Sequence, residues 1–215
     1  MHIFSALGFY WDRSAVPSVV PTHSIERVAF RLHRMLPEFV WDASVLEGNP
    51  FTFTEVKTLL DGVTVGGRRI SDQEQVLKLA ESTKHLLALV KAKKFAMDKT
   101  TFTTLHALVA RDETLEPELD RVFDRGVQAL ESELAQPFEK AAAFFLFGAL
   151  QQFFSDGNKR TSRFMMNGIL MSAGIDAISV PAAKAQEFNE RMARFYQEKD
   201  ATEMMAFLVD LGCCC

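Results

Sequence analysis

An all-α protein is what this sequence of 215 residues predicts. Three observations carry that expectation. Apolar residues recur at helical spacing in one segment after another, as in Ile25, Val28, Ala29, Leu32 and Leu36, with charges between them. Pairs of the form Ser/Thr-x-x-Glu stand just ahead of such segments, where they cap helix starts. The longest apolar run, Ala141 to Phe154, is hydrophobic around nearly its whole circumference and is followed, after a short polar turn, by a second run from Phe164 to Ile175. At most one small β-hairpin, around Val63 to Arg69 with Gly66-Gly67, is expected beside the helices.

Each element follows from its own signals. Met1 to Thr22 mixes aromatics with Pro17 and Pro21 and reads as an arm packed on the body. The helix from Ser24 is interrupted at Pro37, and a second helical piece from Phe39 to Glu47 stops at Gly48-Asn49-Pro50. Thr52-x-x-Glu55 caps a helix that ends near Asp61-Gly62. Ser71-x-x-Glu74 is read as the cap of a long amphipathic helix over Val76 to Lys91. Thr100 or Thr101 opens the next helix, through Val109. Arg111 to Asp124 is acidic, holds Pro117 and lacks strand-like alternation, and Val122 to Glu133 is helical again. Pro137 suits the first turn of a central helix, Phe138 to Phe154. Beyond the polar turn and its helix, Ile178 to Pro181 reads as a brief extended piece, and helices over Ala183–Gln197 and Thr202–Leu208 close the chain.

Composition sets the bounds. A hydrophobic content of 48% suffices for a substantial core. A net charge of −4 supplies no global field for nucleic acid. No segment has the uninterrupted apolar length of a membrane span, and the N-terminus lacks the pattern of an export signal, so a cytoplasmic protein is expected. Cys213, Cys214 and Cys215 have the spacing of neither a zinc site nor a disulfide framework. The five histidines, His2, His23, His33, His85 and His106, show no ligand pairing, so metal-ligand histidines are not expected.

The chemistry concentrates in Gln152-Phe153-Phe154-Ser155-Asp156-Gly157-Asn158-Lys159-Arg160-Thr161-Ser162-Arg163. Gly157 supplies backbone freedom and Asn158 tolerates a left-handed conformation, so the turn is tight. A helix opening near Lys159 presents unpaired N–H groups and its positive dipole end, and successive N–H groups there form an anion nest. Arg160 and Arg163, three apart, share a helical face beside it. Asp156 is a hard oxygen donor placed where a phosphate-bound Mg2+ could sit. Two readings fit these residues: a polyphosphate cradle, and a polar turn that only caps the helices around it.

The order Phe–x–Asp–Gly–Asn–x–Arg–x–x–Arg resembles the signature of the Fic/Doc (Fido) family, His-x-Phe-x-Asp/Glu-Gly-Asn-Gly/Lys-Arg-x-x-Arg. A second, partial match lies upstream. Ala43-Ser44-Val45-Leu46-Glu47-Gly48-Asn49 resembles the family's inhibitory segment, Ser/Thr-x-x-x-Glu-Gly/Asn, with the serine, Ser44, one residue late. The resemblance implies a Fic-like helical core over residues 62–215 behind an arm and inhibitory segment over 1–61. It also implies transfer of AMP from ATP to a hydroxyl side chain of a target protein. Asp156 would hold Mg2+; backbone N–H groups around Gly157 and Lys159, with the Asn158 side chain, would hold the α- and β-phosphates. Arg160 would meet the β-phosphate, and Arg163 the γ-phosphate once Glu47 releases it. Phe154 would anchor the turn. Tyr196 is a candidate wall of the adenine pocket, its other reading being a core aromatic.

Three departures qualify the resemblance. The family's catalytic His falls on Gln152, whose amide cannot take a proton; losing a general base lowers rate by roughly 10²–10⁴, while ground-state binding of ATP is left intact. Lys159 stands where the commonest form of the signature has Gly, and also occurs in the Doc branch, which phosphorylates its target. The Arg111–Asp124 interval is unlike the β-hairpin flap that aligns a target by strand addition. The sequence therefore leaves open a repressed and crippled adenylyltransferase, a nucleotide-sensing pseudoenzyme acting through a protein partner, a Doc-like phosphotransferase and a plain helical interaction domain. Oligomeric state is open too, a dimer included.

Overall fold

The computed structural model describes residues 3–213, without the side chain of Cys213, so the terminal cysteines lie outside the described side chains. Eleven α-helices and two short 3-10 turns follow one another along the described chain. They are α1 (Ile3–Leu7), a turn at Arg13–Ala15, α2 (Ile25–Arg34), α3 (Leu36–Val45), α4 (Phe53–Leu60), α5 (Ile70–Lys91), α6 (Lys99–Val109), α7 (Pro117–Glu133), α8 (Pro137–Gln151), α9 (Asn158–Ser172), a turn at Ala182–Lys184, α10 (Ala185–Glu198) and α11 (Thr202–Cys213). No sheet forms among the described residues; a single parallel bridge joins Tyr10 to Asp200. No described helix is long and apolar enough to cross a membrane.

α8 is the axis of the molecule. Its side chains from Ala141 to Ala149 are buried all round, as its uniformly apolar sequence requires, and α9 packs closely along it. Gly148 makes that approach possible, because a Cβ there would lie 2.0 Å from Ser162 Oγ. A cluster of rings from Phe102, Phe123, Phe144, Phe153 and Phe154 fills the space between α6, α7 and the end of α8, with neighbouring centroids 5.0 Å apart at the closest. The arm ahead of α2 crosses the body. Trp11 Nε1 and the Arg13 guanidinium both donate to the buried Glu139 carboxylate of α8, and Phe9 packs edge-on against Phe195 of α10.

Several local expectations shift. Pro37 does not merely interrupt a helix: it sits in the first turn of α3, where its missing N–H leaves no bond unmade. Thr52 and Glu55 form the reciprocal capping box, but Ser71 caps nothing, because the chain leaves extended geometry at Arg69 and α5 is already under way at Ile70. Asp98, not a threonine, caps α6 by accepting from Thr101 N–H at 2.8 Å. Residues 63–69 turn without pairing. The piece at Ile178 is extended but joined to no strand; the Asn167 side chain supplies what a strand would, accepting from Ile178 N–H at 2.8 Å and donating to its C=O at 3.1 Å.

Candidate functional site

Between α8 and α9 the chain reverses in six residues, and two left-handed residues make the reversal possible. Gln152 closes α8 at φ +52°, ψ +57°, and Gly157 precedes α9 at φ +77°. A side chain at 157 is barred twice over, by the backbone angle and by Ala110 Cβ, which would lie 2.9 Å away. Asn158, by contrast, is already helical. Its side chain was expected beside the phosphates and is instead committed to the turn: Oδ1 accepts from Phe154 N–H at 2.9 Å and Nδ2 donates to Phe154 C=O at 2.6 Å. Phe154 is the expected anchor, buried and stacked face to face on His106 with centroids 3.6 Å apart.

No side chain caps α9 at its N-terminus, so the first N–H groups of a fifteen-residue helix are left for another partner. Lys159 lies half-buried in that first turn. Arg160 and Arg163 emerge on one face, as their spacing requires, and Glu47 reaches both: Oε1 accepts from Arg163 Nη2 at 3.0 Å, and Oε2 lies 3.4 Å from Arg160 Nε. Arg160 also donates to Asp156 at 2.7 Å and to Val109 C=O at 3.3 Å. Burial pulls the Arg163 guanidinium below its ordinary range and the Glu47 charge works against that, so the pair is a buried, mutually compensating one. Partial burial alone would raise the Asp156 carboxyl, but hydrogen bonds from Arg160 and the Gly157 N–H outweigh it and hold it low. The Asp156 side chain is 73% exposed to the surroundings of α9.

Glu47 is held in place from its own side. It follows α3 in a tight turn in which Ser44 is fully buried, its hydroxyl donating to Trp41 C=O and its carbonyl accepting from the N–H groups of Glu47 and Asn49. The Tyr196 phenol, on α10, is pushed up to about 12 by burial and, secondarily, by the Glu47 carboxylate. Its ring packs on Phe195 at 5.6 Å.

Two clefts flank the turn. One, of about 420 Å3, is lined by Ser71, Gln75, Lys78, Arg111, Asp156 and Arg160. The other, of about 630 Å3, is lined by Asp112, Glu113, Glu116, Gln152 and Ser155. The strap between α6 and α7 that separates them is no hairpin: it runs extended to Pro117, and Glu113 ties it to the turn by accepting from Ser155 N–H and hydroxyl. Those bonds, with Arg111 behind them, lower the Glu113 carboxyl. Gln152 faces the second cleft with its amide engaged, Nε2 donating to Ala149 C=O and Oε1 accepting from Asn158 Nδ2 at 3.3 Å. Gln151 turns away to donate to Leu7 C=O.

Sequence reasoning set His106 aside with the other histidines. It is fully buried, and its Nε2 lies 2.9 Å from the Asp156 carbonyl. Its place on the buried face of α6, with Phe102, Leu105 and Val109, was readable from spacing; the loop it meets, some fifty residues on, was not.

Comparison with known proteins agrees with this architecture. The profile of the Fic/DOC family matches residues 58–170, just over half of the chain. A protein from Nematostella vectensis named "Protein adenylyltransferase Fic" is 22% identical over 178 residues, which cover 71% of this chain and 42% of that protein. This chain thus spans less than half the length of that relative. Among solved structures, residues 134–508 of Fic-1 from C. elegans superpose with a TM-score of 0.72 at 19% identity, covering 87% of this chain and 66% of that one. A Fic-domain signalling protein from Bacteroides thetaiotaomicron superposes with a TM-score of 0.69 at 17% identity, covering 96% and 88%.

Proposed function

Because this chain belongs to the Fic/DOC family, we propose that it is a nucleotide-binding protein of the adenylyltransferase type, held shut by Glu47 and deprived of efficient transfer by Gln152. The observation that carries the reading is the single Glu47 carboxylate lying on both Arg160 and Arg163 beside the uncapped start of α9. Two guanidiniums and a row of free N–H groups are the donor set that a triphosphate requires. The Arg160 Nε is buried and has an ion-pair partner in Glu47 but no hydrogen bond, so its pairing is incomplete. Glu47 is an anion occupying the place where such a ligand would put its own charge.

Mg2+ fits the Asp156 carboxylate, a hard oxygen donor left largely exposed beside the start of α9. Asp156 would hold it, and the charge neutralisation it supplies when bound favours bringing phosphates beside a carboxylate. No three His, Cys, Asp or Glu side chains converge among the described residues, so the ion would keep phosphate and water oxygens for its other positions. In the proposed reaction a hydroxyl of a protein target attacks the α-phosphorus of ATP, AMP passes to that oxygen, and pyrophosphate leaves. Arg160 and Arg163 orient the β- and γ-phosphates, and Tyr196 would form a wall for the base of the nucleotide. The hydroxyl proton has no acceptor in Gln152, because an amide oxygen has no useful basicity.

Calorimetry of MgATP binding tests this. Glu47→Gly is expected to tighten binding at least tenfold over the native chain, and Arg163→Ala in the Glu47→Gly background to lose that gain; heat-silent titrations of all three would sink the reading. A second reading, a nucleotide sensor without transfer, is favoured by the Gln152 amide, both ends of which serve the local structure. Gln152→His combined with Glu47→Gly separates the two. Transfer of an α-label from ATP to protein by that variant identifies a dormant adenylyltransferase scaffold. Transfer of a γ-label instead identifies a phosphotransferase, and binding without any transfer identifies the sensor.

A further inference from the structure

We infer that His106 is a positioning residue for the proposed phosphate site, acting through the peptide bond between Asp156 and Gly157. The inference rests on the nucleotide reading above. A carbonyl oxygen only accepts, so the 2.9 Å contact from His106 Nε2 to the Asp156 C=O requires the proton to sit on Nε2. The other nitrogen, Nδ1, is buried with no hydrogen-bond partner, so Nε2 is the one ring atom that ties His106 to the loop. The ring is clamped flat against Phe154, with an interplanar angle of 10°.

The consequence lies on the far side of the peptide. In a planar trans peptide the C=O and the following N–H point in opposite directions. A donor on the inner side that holds the Asp156 C=O therefore turns the Gly157 N–H outward, to the side of the Asp156 carboxylate and the start of α9. Gly157 itself permits almost any rotation, so glycine alone does not choose this orientation. Among the described residues, His106 is the side-chain donor on that carbonyl. His106 touches no substrate in this scheme; it sets the direction of the Gly157 N–H, which here donates to the Asp156 carboxylate at the mouth of the nest.

Two substitutions separate the donor from the ring. His106→Phe keeps a flat ring against Phe154 and removes the donor, whereas His106→Gln removes the ring and can place an amide N–H near the Nε2 position. Both are made in the Glu47→Gly background and titrated with MgADP, which needs the nest but not the γ-phosphate site. Loss of one hydrogen bond to a charged group weakens binding roughly ten- to a hundredfold. His106→Phe is expected to show that loss while keeping the higher melting temperature of the two, and His106→Gln to keep affinity within about threefold while melting lower. Affinities that instead follow the melting temperatures would make His106 a packing residue and overturn the inference. The 15N shifts of the ring give an independent check: they should report a proton on Nε2, and a bare Nε2 would overturn the inference. If MgADP binds neither the Glu47→Gly protein with His106 intact nor its variants, the nucleotide reading has failed and this one falls with it. Binding by Glu47→Gly that survives in His106→Phe overturns the role of His106 alone.

Discussion

Asn158 joins the two ends of the turn with one side chain. Its amide satisfies both the N–H and the C=O of Phe154, and all three groups are buried. Asn158→Ala would leave both backbone groups unpaired, at ~1–3 kcal/mol each. The expected loss in urea denaturation is therefore ~2–6 kcal/mol, larger than for an exposed turn asparagine; a loss below ~0.5 kcal/mol would mean that water or a shifted backbone replaces it. The residue also shows what a sequence discloses at this scale. That Gly157 and Asn158 belong to a tight turn was legible from residue type, and so was Phe154 as its anchor. The left-handed positions proved to be Gln152 and Gly157, and Asn158 serves the turn with its side chain, not its φ angle. Residue type states what a side chain can bond, and only the closed loop states what is within reach.

Helix α8 was legible in its place and its start, because a stretch apolar on every side has no stable place except the centre and Pro137 marked the first turn; its end was not, since the helix closes at Gln151 and not at Phe154. How closely α9 would approach it was not, since that depends on a pair of small residues fourteen positions apart. Gly148 and Ser162 meet with no room for a methyl group between them. Gly148→Ala is expected to destabilise the protein by ~1–3 kcal/mol through overpacking, despite the higher helix propensity of alanine. Adding Ser162→Ala removes the Oγ and should recover part of that loss, a non-additivity that denaturation of the three variants would reveal. Equal and additive effects would indicate that the helices simply slide apart. The strap before α7 was legible only in the negative. Its composition excluded a hairpin, but its tie to Ser155 through Glu113 depends on a contact forty-two residues away in sequence.

At the scale of the whole molecule the helical class and the meeting of Glu47 with Arg163 were legible, the latter through its resemblance to a known pattern. The reach of the same carboxylate to Arg160 was not, nor were the partners of the N-terminal arm, which adjoins nothing near it in sequence. Acid sensitivity belongs to this scale. Glu55, bonded by Arg68 and by Thr52 N–H, is lowered from its ordinary 4.5 to about 2. A lowered carboxyl contributes stability that is fully present above about 4.5 and disappears as pH falls to about 2. Asp42, raised by burial against its bonds from Ala182 N–H and Ser179, has the opposite sign, and its charging disfavours the fold as pH rises past its ordinary value. Glu55→Gln should therefore flatten the fall of the urea midpoint between about pH 4.5 and 2, and an unchanged slope would exclude Glu55 as a source of it. The arm carries a consequence of another kind. Phe9, Tyr10 and Trp11 precede their partners, Phe195, Asp200 and Glu139, by 128 residues or more along the chain. Until those distant partners have been made, the arm has only its own rings to pack against, so its docking is a late step of folding and its aromatics stay exposed before it.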